Sequence, residues 1–125
     1  MPHVPEHALV WCEIPVTDLD RAETFYRAVF DFAFDRMEGP PNPFSIIRTT
    51  DEKSGISGHL YPGKPSSEGP TVHLLVPGKL EDAMARCTEA GGRVISDPIP
   101  IPAGRFAYAH DPDGNSIGLF EAAAG

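Results

Sequence analysis

Trp11 and Glu13 stand two residues apart in the apolar run from Leu9 to Val16, so on an extended strand both side chains project to one face. If that face lines a cleft, Trp11 supplies a flat apolar wall and Glu13 a carboxylate in a partly desolvated cavity, able to serve as a base. Plain core packing accounts for Trp11 equally well, and a strand-end carboxylate paired with an arginine accounts for Glu13. His59 and His73 are further candidates for a ligand or proton carrier, although a lone histidine is more often a satisfied or surface group. Arg48, Arg93 and Arg105 fall in or beside predicted strands, where any of them can hold an anionic ligand by a bidentate contact or lie on a solvated strand edge. Tyr108 and Phe106 alternate on one strand and either stack on a flat ligand or fill the core.

Other chemistry lacks its residues. The chain holds no His-Glu-x-x-His, no Gly-x-Gly-x-x-Gly, no phosphate-binding loop and no Gly-x-Ser-x-Gly, so hydride transfer, phosphoryl transfer and serine-hydrolase reactions have no support. Cys12 and Cys87 are the two cysteines, without Cys-x-x-Cys spacing, and read as reduced, buried small hydrophobes. No residue is assigned a catalytic role.

The elements that must position these side chains follow from the punctuation. At 125 residues, 41% hydrophobic and 22% charged, the chain has the size and composition of one folded domain. Its formal charge of −8, with basic residues scattered, argues against nucleic acid and anionic membranes as partners. No stretch approaches the roughly 20 apolar residues of a membrane helix, and MPHVPEHALVW lacks the blocks of a signal peptide; the expected location is the cytoplasm. Fourteen prolines must mark edges and connections.

Thr17-Asp18 are helix N-cap candidates, and Leu19, Ala22, Phe25, Tyr26, Val29 and Phe30 form one apolar stripe. Strands are predicted over Phe32 to Arg36, Phe44 to Thr50 and Ile56 to Tyr61, separated by turns at 39–43 and 51–55. The Pro, Gly and Ser-rich segment Tyr61 to Pro70 reads as a surface connection. The pattern then restarts: a strand over Thr71 to Val76, a helix over Leu80 to Ala90 stopped by Gly91-Gly92, and strands at Arg93 to Ser96, Phe106 to His110 and Ser116 to Glu121.

A shift of 61 residues places Leu19-Asp20-Arg21-Ala22 on Leu80-Glu81-Asp82-Ala83 and Trp11 to Val16 on Val72 to Pro77. Each half therefore reads strand, helix, strand, strand, strand. Such a unit leaves one sheet face uncovered, so two must pair, within the chain or between chains. Two curved sheets facing each other would enclose a cleft suited to a small ligand.

Glu13-Ile14-Pro15-Val16-Thr17-Asp18-Leu19-Asp20-Arg21-Ala22, then Phe25-Tyr26, Gly91-Gly92, and Asp111-Pro112-Asp113-Gly114-Asn115 followed by Ile117-Gly118-Leu119, together resemble the vicinal oxygen chelate superfamily. That superfamily includes glyoxalase I, bleomycin and fosfomycin resistance proteins and extradiol dioxygenases. The resemblance covers nearly the whole chain and implies an α+β fold of two tandem βαβββ modules, with curved mixed sheets around a cleft. Module one is expected at about 7–61, the connection at about 62–70 and module two at about 71–122. It also implies a homodimer and a small-molecule ligand, with no single reaction specified.

In metal-using members a His stands seven residues before the Asp that opens the first helix. Here that place holds Trp11. The repeat-equivalent place is Val72, with His73 expected on the opposite strand face; the acid of the last strand is replaced by Gly118, and His59 falls at or beside the fourth position. Trp, Val and Gly side chains do not bind a divalent ion, so no metal and no cofactor are expected. The expected ligand-binding residues are Trp11, Glu13, His59, Arg105 and Tyr108. The competing reading is a metal-dependent lyase, isomerase or dioxygenase with displaced ligands from His59, His73, Glu13 and Glu121. A third is a scaffold acting by contact with another protein, through an exposed apolar patch. Asp111 to Asn115 is read as a hairpin turn.

Overall fold

The computed structural model describes residues 2–39, 42–51 and 54–124. Pro40, Pro41, Glu52 and Lys53, in the two predicted turns, lie outside the described residues. Strand β1 spans Trp11–Val16 and is followed by helix α1, Leu19–Phe30. Asp18 caps α1 by accepting the Arg21 N–H at 3.0 Å, and Asp31 ends it in the left-handed region at φ 61°. The predicted stripe is the buried one: Leu19, Ala22, Phe25, Tyr26, Val29 and Phe30 all face the core. Strands β2 (Phe34–Met37), β3 (Phe44–Ile47) and β4 (Ser57–Pro62) complete a four-stranded sheet in the order β1-β4-β3-β2. Only its β1–β4 pair is parallel.

The second half repeats this plan. Strand β5 (Val72–Leu75), helix α2 (Leu80–Glu89), and strands β6 (Arg93–Val94), β8 (Gly104–His110) and β9 (Ser116–Ala122) form a sheet in the order β5-β9-β8-β6. Again the first and last strands pair in parallel. Strand β7, Ile99–Ile101, is absent from the sequence reading because prolines surround it; it pairs with β8 alone, where a residue without an N–H is tolerated. Helix α2 has no side-chain cap from Lys79. Its first N–H, on Leu80, is taken instead by the Glu121 carboxylate of β9 at 2.7 Å.

Both helices and the helix-side faces of both sheets share one core. Ile14, Val16 and Leu60 from the first sheet meet Ala107, Ala109, Ile117 and Leu119 from the second, with Phe25, Tyr26, Leu80 and Cys87 between them. Burial of these side chains is the main stabilising term. The Asp111–Asn115 hairpin does more than turn the chain. The buried Asp111 accepts the Tyr26 hydroxyl at 2.7 Å, Asn115 Nδ2 donates to the Pro15 carbonyl at 2.6 Å, and Asp113 receives the Thr17 hydroxyl and Arg21. Module two is thereby latched to module one.

This packing brings the helix-bearing sides of the two sheets together. The helix-side faces meet inside the chain, and the opposite, outer faces point away from the core. An open groove of about 830 Å³ runs between the β1 and β5 edges. Among the described residues no strand pairs with either of those edges.

Candidate functional site

Alternation along β1 sends Ile14 and Val16 into the core and Trp11 and Glu13 to the outer face. In the parallel register Glu13 stands opposite His59 of β4, which shares that face because Gly58 and Leu60 on either side of it are buried. Trp11 Nε1–H donates to His59 Nδ1 at 3.0 Å. A ring that accepts at Nδ1 is neutral and carries its proton on Nε2. That nitrogen lies 3.5 Å from Glu13 Oε1. Phe44 and Tyr61 pack on the same imidazole, at centroid distances of 4.9 and 6.0 Å. His59 is thus held on its sides by aromatic rings and by an indole donor. Trp11 keeps 44% of its surface exposed and, with Glu13, lines the groove.

His73 is on the outer face of the second sheet, which corrects the expected orientation. Core positions Ile14 and Val16 correspond structurally to Leu74 and Val76, a shift of 60, whereas the helices start 61 apart, at Leu19 and Leu80. The connection between strand and helix is one residue longer in module two: Pro77, Gly78 and Lys79 against Thr17 and Asp18. Gly78 absorbs the turn at φ 68°. A one-residue slip exchanges strand faces. Val72 consequently packs toward the core, and His73 takes the place that Glu13 holds in module one.

His73 pairs in register with Gly118, as Glu13 does with His59. A Cβ at position 118 would lie 2.0 Å from His73 Nδ1, so glycine there makes room for the ring. Phe106, Tyr108 and Phe120 surround the imidazole at centroid distances of 4.7, 6.0 and 6.1 Å. Burial pushes the His73 pKa below its ordinary value.

Tyr108 therefore belongs with His73, on a different sheet from Trp11, Glu13 and His59. Arg105 is a correction of another kind. It alternates with the buried Ala107 and Ala109, so it points to the helix side. There it makes two bonds of 2.6 Å to Glu81 and reaches Glu121 at 2.8 Å. Hydrogen bonding to Arg105 pulls the Glu81 pKa down to about 2. Arg105 and Glu121 secure the start of α2 and are not part of the groove. Arg105 lies outside the strand expected from Phe106; because β8 begins at Gly104, alternation extends to Arg105 and puts it, three residues from Tyr108, on the opposite face.

Arg48 lines the groove with its Nε 3.6 Å from Asp35 Oδ2, and Arg93 stands on the short strand β6. Phe106 is buried among the outer-face rings rather than in the common core. Cys87 is buried, which raises its pKa to about 11; Cys12 is half-buried, and burial followed by the charge of Glu13 raises its pKa too. Neither thiol is disposed to ionise.

The family model described as Glyoxalase/Bleomycin resistance protein/Dioxygenase superfamily matches residues 8–119. The chain belongs to this superfamily. CFP32 of Mycobacterium tuberculosis, whose name gives it provisionally as a glyoxylase, is 33% identical over 111 residues, which is 85% of this chain and 41% of that protein. The chain thus spans about 41% of the length of this curated relative. Among solved structures, a glyoxylase/bleomycin resistance protein/dioxygenase domain from Frankia sp. EAN1pec superposes with TM-score 0.69 at 17% identity, covering 97% of this chain and 100% of that one. A glyoxalase/bleomycin resistance protein from Streptomyces sp. CB03234 gives 0.65 at 25%, over 90% and 99%. TnmS3, an antibiotic binding protein from the same Streptomyces, gives 0.66 at 24%, over 97% and 100%.

For a member of a superfamily with metal-using branches, the donors among the described residues do not fit an ion. Among the described residues no group of three or more His, Cys, Asp or Glu is placed to hold one. His59 Nδ1 already accepts the indole proton, Glu121 is held by Arg105 and the Leu80 N–H, and His73 stands on the other sheet. The four displaced ligands weighed from sequence are not brought together in one chain. Among the described residues, no helix is long and apolar enough to cross a membrane.

Proposed function

We propose that this superfamily member binds a small organic molecule, without metal, in the groove beside Trp11, Glu13 and His59, and works as a cytoplasmic homodimer. The observation that carries the reading is the groove of about 830 Å³ with an exposed Trp11 face on its wall, a volume within the usual range for small-ligand sites. The hydrogen bond from Trp11 to His59 fixes the indole before any ligand arrives, which lowers the ordering cost of stacking on it. TnmS3 is by name an antibiotic binding protein, and at 24% identity it bears on the fold alone. The dimer is supported by the unpaired β1 and β5 edges and by apolar side chains left exposed, including Leu9, Val10, Leu75 and Tyr108.

A thermal-shift screen of flat aromatic and amphiphilic molecules tests the reading on the wild type and on Trp11→Ala. A ligand at 100 times its Kd adds about 2.7 kcal/mol and raises Tm. The expected result is a set of stabilising compounds whose effect is lost in Trp11→Ala. Stabilisation that survives the substitution places the site elsewhere, and no stabilisation by any compound removes the reading. Light scattering on the same sample is expected to give the mass of two chains.

A further inference from the structure

Resting on the reading of the Trp11 face as a binding site, we infer that its ligand is an organic cation: an amine or guanidine carried on a flat apolar body. The charges in the groove point this way. Its charged side chains are Glu13 and Arg48, and Arg48 already faces Asp35 at 3.6 Å. Among the described residues the basic group that Glu13 faces is His59, at 3.5 Å, whose Nδ1 accepts the Trp11 N–H. An imidazole whose Nδ1 is the acceptor brings no charge to cancel that of the carboxylate. The carboxylate therefore leaves uncompensated negative charge on the wall of an otherwise apolar groove.

Beside it stands the side chain that best complements a cation. The indole has a negative π-face and attracts cations more strongly than the other aromatic rings. Trp11 and Glu13 project from the same strand face two residues apart, so one ligand can lay its apolar body on the ring and its charged end against the carboxylate. Across the groove the pKa of His73 is lowered by burial, which disfavours a competing positive charge there. The net charge of −8 draws cations toward the whole surface. Glu13 keeps 64% of its side chain exposed, and an anion of the same shape meets it as a like charge.

The test uses three probes that share one ring system: 2-naphthylmethylammonium, 2-naphthylmethanol and 2-naphthoate. Each is titrated into the full chain near neutral pH by calorimetry, for the wild type and Glu13→Gln. The chain has one tryptophan, so a single indole N–H resonance reports whether each probe reaches Trp11. The expected result is that the ammonium binds about tenfold tighter than the alcohol. The naphthoate is weakest, and Glu13→Gln closes the gap between the ammonium and the alcohol. Added salt weakens the ammonium alone. Equal affinities for ammonium and alcohol, both moving the indole resonance, overturn the cation and leave the binding site standing. A preference that persists in Glu13→Gln overturns the role of Glu13. Failure of all three probes to move the indole resonance overturns the reading of the Trp11 face itself, and the cation with it.

Discussion

The two outer faces of this chain present the same scaffold with different contents. Each carries one histidine surrounded by aromatic rings, and each uses the parallel pair of first and last strands to hold it. In module one the first-strand position holds Glu13 and the fourth-strand position His59; in module two the corresponding places hold His73 and Gly118. His59 is engaged by Trp11 on one nitrogen and faces a carboxylate on the other, whereas His73 is packed by rings and seated over a glycine. A duplicated frame has thus been given one face that fixes a charge and one that is mainly apolar.

The largest way to disturb this comparison is to release the latch that joins the modules. Asp111→Ala removes the acceptor of the Tyr26 hydroxyl, the Asp113 and Asn115 backbone N–H groups and Asn115 Nδ2, all at or near the buried hairpin. Leaving such donors unpaired is expected to cost about 3 kcal/mol. Urea unfolding measures it, and both faces should be lost in one transition, because they share a single core. Separate transitions for Trp11 fluorescence and for the module-two aromatic signals would show that the faces are independent.

A smaller change acts on module two alone. Gly118→Ala puts a methyl group against the His73 ring and is expected to destabilise by roughly 1–3 kcal/mol while displacing the imidazole. Combining it with His73→Ala should recover most of that loss, and a double-mutant cycle reads the coupling directly. Additive losses would show that the ring is not what glycine accommodates.

The smallest expected effect is in the pH dependence. The folded-state pKa of His73 is lowered by burial from 6.5, so in the window below 6.5 the unfolded chain binds more protons than the folded one. Stability is full above that window and declines as pH falls through it toward the lowered folded pKa. Chemical denaturation across the range should show this slope in the wild type and a flatter profile in His73→Gln. An unchanged profile would assign the slope to other groups.

The helices were legible because their signals are local. Asp18 precedes a 3.6-residue apolar stripe, and that stripe is the buried face of α1. The strands were legible as alternations, with ends off by up to three residues, as at β3, and β7 was hidden by its prolines. The candidate site was half legible. Trp11 and Glu13 share a face by spacing alone, and His59 joins them through strand pairing, which the sequence leaves to register.

Sequence by itself determined two βαβββ modules, the helix that starts after Asp18 and the shared face of Trp11 and Glu13. These depend on periodicity, capping and alternation, which act over a few residues. Tertiary structure alone decided that His73 faces outward, that Arg105 and Glu121 belong to the start of α2, and that the Asp111 hairpin latches one module to the other. Each of these turns on strand register or on contacts between distant segments. A single added residue before α2 reverses a strand face without altering the composition or pattern from which the strand was read.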